Sequence, residues 1–143
     1  MAITQAVCTS FKQELLVGTH NFTASSGDTF KLALYTSSAT LGASTTAYVT
    51  TGQSSGTNYT AGGANLTSVT PVATGTTAVC DFSPDLTFGT ATVTSRGCLV
   101  YNSSKSNKAV CVLDFGADKS STAGNFTVVF PSPTATGAII RLA

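Results

Sequence analysis

The sequence predicts an all-β protein, an antiparallel β-sandwich or jelly-roll-like barrel with one short N-terminal helix, folded as a single β-rich domain over residues 1–143. Three observations lead there. From residue 28 onward apolar residues recur at every second position or in short runs bounded by Gly, Ser and Asn, the pattern of strands and turns. Thr and Val, whose branched side chains suit a pleated surface, are common throughout. Only one segment carries the 3.6-residue spacing of a helix. At 143 residues the chain is one domain by length. A domain of that size buries roughly 70% of the surface its unfolded chain exposes, so it needs no covalent staples.

The helix is predicted over about 5–17. Val7, Phe11 and Leu15 recur at i, i+4 and i+8, and Cys8 widens the stripe. Thr4 is the expected N-cap and Gly18 the residue just past the C-terminus. A short amphipathic helix must lie on something, here one end or face of the sheet. The first strand follows in FKLALYT, where Phe30, Leu32 and Leu34 alternate.

Residues 36–63 are the least periodic part, with many small residues and few large apolar anchors. They read as a long excursion with a weak edge strand, or as a mobile arm, and contact with another chain is expected there. The pair Gly62-Gly63 turns the chain into ANLTSV, a strand. Val79, Cys80 and Phe82 mark another, and Leu86 with Phe88, then Ala91 to Val93, mark two more. The most apolar strands are Cys98–Tyr101, Ala109–Phe115 and Asn125–Phe130. The polar loop NSSKSNK makes the first two a hairpin, and GADKSSTAG reads as a second loop. Pro131 and Pro133 stop the third strand, and AIIRL closes the chain. Eight to nine short strands result, with no repeat of fixed period.

Composition restricts function more than motif does. There are only 13 charged side chains and one histidine, whereas Ser and Thr occupy 43 positions. A net charge of +1, with Lys and Arg scattered singly from Lys12 to Arg141, offers no positive field for nucleic acid. No apolar run approaches the roughly 18 residues of a membrane helix. The N-terminal residues lack the basic start and uninterrupted apolar stretch of a secretory signal, so a cytosolic origin and no membrane partner are expected. Cys8, Cys80, Cys98 and Cys111 could form disulfides or ligate zinc, but none has C-x-x-C spacing. Each sits in an apolar run, which favours reduced, packed thiols.

Chemistry has little to build on. A nucleophile–base pair would need His20, which lies in a polar connector after the helix and is expected to be exposed or locally hydrogen-bonded. The carboxylate pairs Asp81/Asp85 and Asp114/Asp118 read as turn residues bonding backbone amides. Gly62-Gly63 precedes a strand, so it is no phosphate-binding loop. No catalytic residue, cofactor site or metal site is assigned. An enzyme, a small hydrolase using His20 or an aspartate pair, is the weakest class.

The phrases AVCTSFKQELL, DTFKLALYTSSATLGASTTAY, NYTAGGANL, TSRGCLVYN, AVCVLDFGADKSSTAGNFTVVFP and GAIIRLA together resemble small virion structural proteins of tailed bacteriophages. That resemblance spans nearly the whole chain. It implies a head decoration, or cement, protein that binds the outside of an icosahedral shell, with the major capsid protein as partner. It further implies a jelly-roll-like body acting as a homodimer or homotrimer, assembled in the bacterial cytoplasm and carried in the virion. The alternative is a tail, collar or fibre component, or a receptor- or glycan-binding module of the same virion. Within the loose stretch 36–63, Tyr48 and Tyr59 are the expected interface anchors, Tyr being favoured at interface centres, with Gln53 and Asn58 beside them. The competing expectation for the tyrosines is that they cover the core.

Overall fold

One long hairpin organises the chain. In the computed structural model, which describes residues 2–143, strand β6 (Leu86–Asn102) and strand β7 (Lys108–Val128) run antiparallel from Leu86↔Val128 through Thr94↔Ser120 to Asn102↔Lys108. Strand β2 (Phe30–Tyr35) pairs along the other side of β6, from Phe30↔Asn102 to Tyr35↔Gly97. The two-residue strands β1 (Ala6–Val7) and β3 (Ala64–Asn65) complete a five-stranded sheet in the order β1-β7-β6-β2-β3. Strands β4 (Ser68–Thr74), β5 (Thr77–Phe82) and β8 (Ile140–Leu142) form a smaller sheet in the order β4-β5-β8. All pairings within both sheets are antiparallel, and α1 (Thr9–Leu16) is the one helix among the described residues. The all-β class with one short helix therefore holds.

Burial explains the change of pattern along the hairpin. Its inner half, Cys98–Tyr101 against Ala109–Val112, lies between β2 and β1 and is buried on both faces, which is why the sequence is continuously apolar there. Its outer half alternates: Ala91, Val93 and Ser95 point inward while Thr90, Thr92 and Thr94 are exposed. Bulges separate the halves. Between Ser95 and Gly97 the partner strand runs from Asp114 to Lys119, so the extra residues loop out at Gly116, whose φ is +80°.

Several expected elements are redrawn. GADKSSTAG is no loop but the middle of β7, because β6 pairs with it at Lys119, Ser120, Ser121 and Gly124. The segments around Leu86, Ala91 and Cys98 are one strand and not three. The helix begins at Thr9 instead of residue 5, since the backbone of Ala6 and Val7 is taken by β7. Cys8, not Thr4, occupies the N-cap position, without a side-chain hydrogen bond, while the Thr4 N–H donates to the Leu41 carbonyl. The C-terminus is as expected: Gly18 has φ +73°, its N–H donates to Leu15 O, and the Thr19 N–H donates to Glu14 O at 2.9 Å.

The excursion 36–63 forms isolated bridges and no regular strand, yet it is fastened at both sides of the sheet. Ser54 N–H donates to Leu34 O, Thr92 N–H to Thr57 O, and Tyr48 N–H to Asn107 O. At Gly63 a Cβ would stand 1.7 Å from the Leu32 carbonyl oxygen, so only glycine fits where the excursion returns to β2.

The two sheets meet through phenylalanines. Phe22 stacks on Phe30 at 4.1 Å, Phe82 of β5 lies 6.0 Å from Phe30, and Phe130 lies 5.9 Å from Phe82. Phe11, fully buried, docks α1 on the same cluster at 5.9 Å from Phe22. Such rings carry most of the apolar area that holds the layers together, each contributing about 1.5–3 kcal/mol on burial. No described helix is long and apolar enough to cross a membrane.

Candidate functional site

The four expected contact residues fall in two layers. Tyr59 belongs to the core, the second of its two expected roles: it is 8% exposed, its ring lies 5.1 Å from Phe88, and its hydroxyl oxygen accepts the Leu34 N–H at 2.7 Å. Burial pushes its phenol up to about 12. Tyr48 is half-buried, stacked on Tyr101 at 4.9 Å, and donates to Gln53 Oε1 at 3.0 Å. Gln53 Oε1 also accepts the Gly62 N–H, so Gln53 braces the excursion from inside. Only Asn58 is fully on the surface. With φ +57° it donates through Nδ2 to the Thr90 carbonyl at 2.9 Å and fastens the excursion to β6.

Beside these residues lies the outer half of the hairpin, whose exposed side is built from hydroxyls. Thr87 bonds Thr127 at 2.9 Å and Thr94 bonds Ser120 at 2.7 Å across the strands, and Thr92 Oγ1 accepts the Ala123 N–H. Thr57, bridged to Thr92, extends this face by one row. Cross-strand hydroxyl pairs fix rotamers and satisfy one another, giving a preorganised row of uncharged groups. The missed signal was the alternation TATVTS itself, which specifies a one-sided strand with every outward position hydroxylated.

Several ionisable groups hold structure. His20 is buried and hydrogen-bonded, the second of its two expected states. Its Nε2 lies 2.6 Å from Glu14 Oε2, and its Nδ1 lies 2.9 Å from Asn102 Nδ2. Both ring nitrogens are thus occupied, leaving none to activate a nucleophile. Asp85 accepts the Phe130 N–H from 45 residues away, beyond its own turn. Asp114 sits at the bulge, where a hydrogen bond from Arg96 Nε at 2.9 Å and the Gly116 N–H hold its carboxyl below the usual range. Asp118 lies within β7, not at a loop tip.

Asp81 also departs from the turn-residue expectation. It lies in β5, fully buried, with Oδ1 accepting the Phe82 N–H and Oδ2 without a hydrogen-bond partner. Burial pushes its carboxyl up, only partly offset by the amides of Phe82 and Ile139. The four cysteines are free thiols. Burial raises Cys8 to about 11 and Cys80 to about 12, and raises Cys98 and Cys111 as well, so thiolate chemistry has no purchase at neutral pH. No group of three or more metal-ligating side chains converges among the described residues.

Comparison with known protein families, curated proteins and solved structures finds no match to this chain.

Proposed function

We propose that the chain is a nonenzymatic virion protein that binds the outer surface of a phage capsid as a small homo-oligomer and reinforces the shell. The reading rests on the phage-like phrases of the sequence. The observation that favours it is the row of exposed hydroxyls on the hairpin's outer half, Thr57, Thr87, Thr92, Thr94, Ser120 and Thr127, linked in part by cross-strand hydroxyl pairs and themselves uncharged. Such a face packs against another protein without desolvating ions. Repeated over many symmetric copies, modest contacts become a large total stabilisation. The face passes the contact role from the expected tyrosines to the hydroxyls and Asn58 around them.

The reading is tested by adding purified protein to shells of the major capsid protein and measuring bound chain by sedimentation. Parent protein binds, and a Thr92→Lys/Thr94→Lys variant, which keeps the inward residues, binds at least tenfold more weakly. Equal binding by parent and variant removes the face from the proposal, and no binding by a folded parent removes the capsid role.

A further inference from the structure

The outer half of β7 has one side without a partner strand. β1 covers this edge of the sheet only at Cys111 and Val112, and beyond Asp114 no strand pairs with it among the described residues. The hydrogen bonds of β6 reveal which main-chain groups are left over. The Thr92 N–H donates to Thr57 O and the Thr94 carbonyl accepts the Ser54 hydroxyl, so both residues turn their main chains away from β7. Val93 and Ser95 therefore face β7, where they pair with Ser121 and Lys119. By the alternation of a strand, the N–H and C=O of Asp118, Ser120 and Thr122 point into the open edge. All three residues are exposed. Gly116 at φ +80° and Ala123 at φ +47° bound this regular stretch.

We infer, resting on the small homo-oligomer of the proposed function, that this edge pairs antiparallel with the same edge of a second copy about a two-fold axis at Ser120. Such a pair is fixed by the residue on its axis. An axis at Asp118 or at Lys119 sets like charges directly opposite each other, which is unfavourable. An axis at Ser121 puts Asp118 across from Gly124, and one at Thr122 puts Ser120 there, but Gly124 pairs with Ala91 instead. With the axis at Ser120, Ser120 meets its own copy and Asp118 meets Thr122 in both directions. Every outward group then has a complement, each pair exchanging two N–H···O=C bonds.

The side chains fit the same register. The Asp118 carboxylate faces the Thr122 hydroxyl of the second copy, an acceptor against a donor. Lys119 faces Ser121, and the two Lys119 side chains, diagonal to one another, are long enough to splay into water. Thr94 bonds Ser120 at 2.7 Å, so the hydroxyl row of one copy continues through both Ser120 residues into Thr94 of the other. A bare strand edge invites uncontrolled pairing, whereas a two-fold contact closes on itself after two copies.

The test uses the purified chain without shells, so that it can fail separately from capsid binding. Sedimentation of the parent protein shows a monomer–dimer equilibrium, and hydrogen exchange of the Ser120 and Thr122 amides slows as concentration rises. Ser120→Lys and Ser120→Glu, each setting like charges across the axis, dimerise at least tenfold more weakly, and an equimolar mixture of the two recovers the dimer. Both substitutions remove only an exposed hydroxyl bonded to Thr94. A parent that is monomeric up to about 1 mM, where even weak pairing registers, overturns the inference, whether the edge then stays bare or takes up a strand of the shell protein. A trimer, a mixture no stronger than its components, or a dimer without protection at Ser120 and Thr122 overturns it too. If either variant does not fold, the concentration dependence of those two amides in the parent decides.

Discussion

Phe115 and Phe126 stand eleven residues apart on one strand, yet their ring centroids are 6.3 Å apart. A straight strand of that length would separate them by about 36 Å. β7 therefore curls back on itself, bringing its outer half over the inner. Gly116 sits at the bulge with φ +80° and no atom near its missing Cβ. Gly116→Ala should therefore cost only backbone strain, about 1–2 kcal/mol, read from denaturant unfolding. Gly63→Ala, with the Leu32 carbonyl in its way, should prevent folding.

Ser95 pins the same bend from inside. Fully buried, its hydroxyl oxygen stands 2.8 Å from the Gly97 carbonyl and 3.1 Å from the Tyr35 carbonyl, joining the bulge to β2. Ser95→Ala leaves those carbonyls short of a donor and should destabilise by about 1–2 kcal/mol. Equilibrium unfolding measures it, and a change under a few tenths would show that the bulge holds without it.

Asp81 should make the fold less stable as pH rises. Its carboxyl is raised in the folded state, so that state binds more protons than the unfolded chain between the unfolded value near 3.9 and the higher folded one. The stability this supplies is complete below the unfolded value and is lost as pH climbs through the folded one. The melting temperature of Asp81→Asn relative to parent should therefore become more favourable from pH 4 to 8. Asp114, held low first by Arg96, works oppositely: its contribution is present above the unfolded value and disappears on acidification through the folded one. Its exposure and salt screening keep that effect small.

The cysteines give a separate check. Cys80 is half-buried, whereas Cys8, Cys98 and Cys111 are buried. A thiol reagent at pH 8 should modify Cys80 first and slowly, and the other three only as the protein unfolds. Rapid reaction of Cys98 or Cys111 in native protein would contradict the packing of the inner hairpin.

What the sequence made legible follows from which physics is local. Strand β2, the Cys98–Phe115 hairpin and the Gly18 helix stop were readable because burial and φ > 0 leave direct marks in residue type. GADKSSTAG reads as a loop because its residues are small and polar, and only the facing strand β6 makes it strand; pairing over this distance leaves no local trace. The first turn of the helix was lost for the same reason, Ala6 and Val7 being helix-compatible but claimed by β7. For Tyr59 the sequence leaves anchor and core cover both open, because a tyrosine in a Gly/Ser/Thr stretch reveals nothing about Phe88 beyond it. The polar chain through His20 joins residues up to 94 positions apart and could not be assembled from spacing.

The central claim, that the protein works by adhering in many copies to a shell, is tested most directly by counting chains per purified particle with quantitative mass spectrometry against the major capsid protein. The account predicts hundreds of copies, in fixed ratio to the capsid subunits. A handful per particle would place it in a tail, collar or fibre, and none would remove it from the virion.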